Sequence, residues 1–166
     1  MATGKQHAQA ARKVIKISVF ISLLLTLLFD LHAIAGPVGA ICGWLIDPDL
    51  DHHHITSRSE RRIWNVNPVL GYLWEVFWYP MARAIPHRHW LSHLPPIGTF
   101  VRLGYMVGPW LWRYRTEIDF AYCWMDHRWA LWILFWWVYQ DYVHFALDGY
   151  KVRRARWKVG KLYLKI

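Results

Sequence analysis

Asp47-Pro48-Asp49-Leu50-Asp51-His52-His53-His54 separates two apolar stretches of the chain, and carboxylates or imidazoles fill all but two of its positions. These are the oxygen and nitrogen donors that Zn²⁺, Mn²⁺ and Fe²⁺ accept. Pro48 disfavours helix through Asp47, so the run is expected to be turn-like or extended, with Asp49 and Asp51 projecting to the same side. Such a density of polar groups beside apolar segments calls for a compensating cation. The plain alternative is a solvated loop with a run of histidines. Three further groups carry the same donors: His7 near the start, His87, His89 and His93 around Arg88, and His144 four residues before Asp148. At the end of a helix a His-x3-Asp pair shares one face and can bind one ion, although alone it is more often a surface pair.

The elements that must position these groups are strongly apolar. Apolar residues make up 55% of the 166, with 13 Trp, 9 Tyr and 7 Phe, and no linker or internal repeat interrupts them. Four segments have membrane-like hydropathy: Val14 to Phe29, Ala33 to Ile46, Leu94 to Trp112 and Trp129 to Phe145. The second is short and rich in small residues, which suits a tilted or partly re-entrant helix. Val69 to Ile85, with Glu75 and Arg83 among aromatics, reads as an interfacial amphipathic helix. The first segment lacks a good cleavage site and does not read as a signal peptide. The expected fold is thus all-α: an integral membrane bundle of about four spanning helices plus one interfacial helix. An all-helical protein with a single apolar core is the alternative. Residues 1–150 are expected to form one domain and residues 151–166 a basic cytoplasmic tail. Cys42 and Cys123 have neither disulfide-framework nor Cys-zinc spacing.

The formal net charge is +9, yet its distribution argues for anionic lipid rather than nucleic acid. With four spans, sixteen of the 20 Lys and Arg residues fall with the N-terminus, the 47–93 loop and the tail. The positive-inside rule then places both termini and that loop in the cytoplasm. The expected partners are membrane lipids and, with so many aromatics on the spans, other membrane proteins. The same topology collects His7, Asp49, Asp51, His52, His87, His93, His144 and Asp148 at the cytoplasmic helix ends, where bundles commonly build metal sites.

The order of these motifs resembles a known family. Gly4-Lys5-Gln6-His7, Gly43 followed by Asp47-Pro48-Asp49-Leu50-Asp51, the Arg61-Arg62 and Trp64 segment, His87-Arg88-His89-Trp90-Leu91-Ser92-His93, Ile97-Gly98-Thr99, Arg102-Leu103 and His144-x3-Asp148 are similar to small membrane proteins described as metal-binding and of unknown function, frequent in cyanobacteria. That family is related to YdjM-type membrane-bound metal-dependent hydrolases. The resemblance runs to about Tyr150. His89 stands where a small residue is expected, His53 and His54 are additional, and Pro95-Pro96 enters the first turn of a helix expected to be capped by Ser92. The resemblance implies His7, Asp49, Asp51, His87, His93, His144 and Asp148 as ligands of one or two divalent transition-metal ions, zinc first, with manganese or iron as alternatives.

Two functions fit. In a metal-dependent hydrolase of a phosphoester or lipid-like substrate, Asp49 or Asp51 bridges ions or orients a ligand histidine, and Arg88 holds a carboxylate or meets the substrate phosphate. The ligand order is also similar to that of zinc-dependent phospholipase C, an analogy at fold level. In a non-catalytic membrane metalloprotein, a subunit or assembly factor of a larger complex, the ion staples helix ends and its site is closed to water. Glu75 and Asp141 are spare carboxylates, each a general base or an interfacial charge.

Overall fold

A computed structural model describes residues 4–51, 58–114 and 127–149, together with the backbone of 157–159 and 162–164. Among these residues the chain forms α1 (Gly4–Leu28), a 3₁₀ turn (Leu31–Ala35), α2 (Gly36–Leu45), a second 3₁₀ turn (Pro48–Asp51), α3 (Arg58–Val66), α4 (Pro68–Ala84), the single turn α5 (Trp90–His93), α6 (Ile97–Arg113) and α7 (His127–Leu147). Near the C-terminus β1 (Trp157–Val159) pairs antiparallel with β2 (Leu162–Leu164), Trp157 opposite Leu164. His52 and most of the tail lie outside the described residues.

Local chemistry sets the boundaries. Asp30 accepts a hydrogen bond from the His32 amide and starts the first 3₁₀ turn, so α1 does not run on into α2. Pro37 sits in the first turn of α2, where its missing N–H costs nothing. Asn67 caps α4 through Val69 N and Leu70 N. The central contact is α2 on α7, with α1 packed against both. Gly39 makes that contact possible, because a Cβ there would lie 1.9 Å from the Ile133 carbonyl oxygen. Ile46, Leu50, Trp78, Met81, Ile85 and Trp137 form the main apolar cluster, and Val14, Ala40 and Trp136 a second.

Helices occupy all five stretches expected from hydropathy, but no helix among the described residues is long and apolar enough to cross a membrane. This overturns the integral membrane bundle, and the assignment of both termini to the cytoplasm falls with it. In α1 the residues Lys5, Arg12, Lys13 and Lys16 fill the first half. The remaining apolar run, Ile17 to Leu28, rises about 18 Å against the roughly 30 Å of a hydrocarbon core. Only 10 residues are helical in α2. The 17 residues of α6 carry a buried Arg102, and the 21 of α7 bury Gln140, Asp141 and His144 in their second half.

Arg102 and Asp141 are each other's partners. Arg102 donates to Asp141 and to the Ser92 carbonyl (2.7 Å), and the Thr99 hydroxyl also donates to Asp141. The pair therefore ties α6 and α7 to the segment that carries the histidines. Gly98 lets that segment close, since a Cβ there would lie 2.2 Å from the Ser92 carbonyl oxygen.

Candidate metal centre

Four segments deliver the donor groups to one place. His7 comes from the first turn of α1, Asp49 and Asp51 from the 3₁₀ turn, His87 and Arg88 from the run into α5, His93 from α5 itself, and His144 and Asp148 from the end of α7. The 3₁₀ turn is anchored by Leu50, which is fully buried beneath it among Trp78 and Met81. Such burial contributes about 1.5–3 kcal/mol. Of the turn-like or extended run expected, the turn is what forms. At roughly three residues per turn, Asp49 and Asp51 diverge by about 120° instead of sharing a side.

The divergence gives the two carboxylates different surroundings. Asp51 is fully buried and surrounded by protein donors. Its Oδ1 meets His87 Nδ1 at 2.6 Å, and its Oδ2 accepts from the Arg88 amide at 2.9 Å and the Ser92 hydroxyl at 2.7 Å. His93 Nδ1 lies 3.2 Å from the same oxygen. Asp49 faces the opposite edge of the His93 ring, 3.6 Å from His93 Nε2 and 3.6 Å from His144 Nε2. Asp148 lies 3.3 Å from His7 Nε2, 3.7 Å from His144 Nε2 and 3.4 Å from Arg88 Nη2. The His7 and His144 rings are 4.2 Å apart.

These separations sort the donors. Two atoms bound at about 2.1 Å to a tetrahedral ion lie about 3.4 Å apart. The contacts of 3.3–3.7 Å around Asp49, His93, His144, Asp148 and His7 have that spacing. The 2.6 Å between Asp51 and His87 is a hydrogen bond. His93 Nε2, His144 Nε2 and Asp148 Oδ2 are moreover buried with no hydrogen-bond partner among the described residues. Leaving three such atoms unsatisfied together is costly, and a cation among them removes the cost. The residues present fit a divalent metal.

Electrostatics point the same way. Burial pushes the Asp49 carboxyl up, but the contacts with His144 and His93 outweigh it and hold it well below the carboxylate range. Burial also opposes ionisation of Asp51, and His87 and His93 reverse that. The same carboxylates lift His93 to about 9 against the effect of its burial. The cluster holds positive charge at its centre, which a proton or a metal ion can supply. Asp47 is pushed up by burial and by the neighbouring Asp49, in spite of Arg62 and Arg102.

All the sequence-derived site residues that are described converge here, and His52 lies outside the described residues. Of the spare carboxylates, Glu75 is exposed on α4 and Asp141 is buried against Arg102. Ser92 does not cap α6. It lies inside α5, with His89 as that turn's cap, and its hydroxyl lies between Asp51 and His93 Nδ1 at 3.0 Å. Arg88 adopts φ 63°, a left-handed conformation that costs a non-glycine residue roughly 1–2 kcal/mol, offset by its amide bond to Asp51. The signal for the Arg102–Asp141 pair is a charge set inside the apolar run of each of two helices, away from the charges at their ends, since each needs an opposite partner.

Fold and site thus define a helical protein with a His/Asp metal-site constellation at one end. The chain belongs to the family described as "Uncharacterized metal-binding protein (DUF2227)", which matches residues 2–125. His144 and Asp148 lie beyond the matched stretch, and it is the fold that brings them to the others. No curated protein and no solved structure matches the chain.

Proposed function

We propose that this metal-binding protein is a metal-dependent hydrolase of phosphoesters. His7, Asp49, His93, His144 and Asp148 would hold the ion, zinc being the first choice for such a nitrogen and carboxylate set. The carrying observation is the convergence of His93 Nε2, His144 Nε2 and Asp148 Oδ2, buried and without hydrogen-bond partners among the described residues, beside the Arg88 guanidinium. A bound divalent ion supplies Lewis acidity and brings the pKa of water toward neutrality.

The protein's own residues supply the rest. Asp51 holds His93 by Nδ1, which fixes the tautomer and leaves Nε2 turned to Asp49 and His144. It holds His87 in the same way. Arg88, anchored by its amide on Asp51 and by its guanidinium on Asp148, presents a planar fork suited to phosphate oxygens. The Asp49 side chain is 36% exposed, so the centre opens to solvent on that side, as a catalytic site must and a closed structural site does not.

The test is hydrolysis of p-nitrophenyl phosphate and bis-p-nitrophenyl phosphate by protein loaded in turn with zinc, manganese and iron. Metal-dependent turnover that falls at least tenfold in Arg88→Ala, with metal content retained, is expected. Stoichiometric metal with no turnover above the metal-free protein on either ester would replace the hydrolase with a structural metal site.

A further inference from the structure

Away from the metal centre the outer surface of α7 carries two apolar grooves on either side of one ridge. The ridge is Leu131, Phe135 and Tyr139, with Leu131 55% and Phe135 54% exposed. On one side a groove of about 640 Å³ runs between Ile17, Ile21 and Leu25 of α1 and Trp132 and Trp136 of α7. On the other a groove of about 500 Å³ runs between Pro95, Pro96 and Phe100 and Leu134, Val138 and Tyr142. Each has the size of a small-molecule site. From Ile17 to Leu25, and from Leu131 to Tyr139, the walls extend about 12 Å, long and narrow like a hydrocarbon chain.

Both grooves reach Leu131, one turn from Arg128. Arg128 is 60% exposed and only loosely held, 3.9 Å from Asp30. The Asp30 carboxylate is already engaged by His32 at 2.6 Å and by Trp132 Nε1 at 3.1 Å. A cation with spare hydrogen-bonding capacity thus lines the first groove and stands one helical turn from the second. We infer that the α7 ridge binds one two-chain anionic phospholipid, an acyl chain in each groove and the phosphate on Arg128. The guanidinium fork matches phosphate oxygens, and the aromatic walls match the chains. The site shares no residue with the metal centre.

Native mass spectrometry of the full, delipidated chain titrated with dioleoylphosphatidylglycerol tests this. A one-to-one adduct is expected, bound about tenfold more weakly by Arg128→Gln, the equivalent of one charge-assisted contact. Phosphatidylcholine with the same chains is expected to bind similarly weakly, and single-chain lysophosphatidylglycerol more weakly than the two-chain lipid. Ile21→Trp and Val138→Trp, which fill one groove each, should weaken the two-chain lipid while leaving the single-chain one. No adduct with the wild-type chain would overturn the site, and a dimer in place of the adduct would give the grooves to a second copy of the chain. Equal binding of one- and two-chain lipids would overturn the two-groove assignment, and full affinity in Arg128→Gln would overturn the headgroup assignment. Metal content is expected to be the same in every variant, so failure here is separable from failure of the metal centre.

Discussion

Replacing Asp51 by asparagine separates a carboxylate that orients histidines from one that binds metal. Asp51 meets His87 Nδ1 (2.6 Å), the Arg88 amide (2.9 Å), the Ser92 hydroxyl (2.7 Å) and His93 Nδ1 (3.2 Å). An asparagine keeps one acceptor oxygen and turns an NH₂ toward the rest. If the oxygen stays on the Arg88 amide and Ser92, His87 must switch tautomer, and His93 loses the charge that fixes its own. Hydrogen bonds to a charged group contribute about 1.5–3 kcal/mol, so losing one or two of them is expected to destabilise the metal-free protein by about 1.5–6 kcal/mol. Loss of an orienting partner weakens metal binding about 10- to 100-fold, or about 1.4–2.8 kcal/mol. Asp49→Asn removes a charge from the centre itself and is expected to abolish stoichiometric binding. The assay is chelator competition on folded protein, with urea denaturation of the metal-free variants alongside. If Asp51→Asn loses metal as completely as Asp49→Asn while still folding, Asp51 is a direct ligand. If it binds metal as tightly as wild type, the orienting role is refuted.

His93→Ala combined with Asp148→Ala is expected to remove stoichiometric divalent metal by elemental analysis, while His127→Ala, at the opposite end of α7, leaves it. Leu50→Ala should cost about 2–5 kcal/mol in urea denaturation and weaken metal binding through the loosened 3₁₀ turn. Asp141→Asn leaves the fully buried Arg102 without its counter-charge and is expected to cost about 3–5 kcal/mol, whereas the double variant Arg102→Met/Asp141→Leu should be markedly less destabilised. Asp30 is lowered from 3.8 to about 2 by hydrogen bonds from His32 and Trp132. Its stabilisation is therefore full above pH 3.8 and lost as pH falls toward 2, a limb that Asp30→Asn should remove from a denaturation-versus-pH series.

Hydropathy locates α1, α2, α4, α6 and α7 because apolar runs of that length must bury themselves somewhere. It does not say where each helix stops or what its polar residues meet. It does place the break after α1, where the apolar run ends at Phe29, the helix ends at Leu28 and Asp30 caps the next turn. Lys16 and its basic neighbours shorten the apolar part of α1, whereas a four-span scheme counts them as flanking charges. In α7 the polar residues Gln140, Asp141 and His144 lie buried among Trp136, Trp137 and Phe145, so the helix is apolar enough to resemble a span and polar enough not to be one.

The donor set is legible in the sequence because its residue types are few and its spacings suggestive, and the fold brings the described members together from four segments. Their division of labour is not legible. In an extended strand Asp49 and Asp51 are equivalent, and nothing in Asp-Leu-Asp distinguishes the two carboxylates. The distinction comes from Leu50, whose burial under the 3₁₀ turn rotates Asp51 toward the Arg88 amide and Ser92 and leaves Asp49 opposite His144. Ser92 shows the converse: read as a helix cap from the prolines that follow it, it becomes part of the site only because Arg102 holds its carbonyl and Gly98 lets α6 approach it. A charge buried in one apolar helix thus fixes the backbone that carries His93. The sequence contains both halves of that pair, thirty-nine positions apart. Because neither charge can be buried alone, the two positions by themselves imply that α6 lies against α7, and with that packing His93 is brought toward His144.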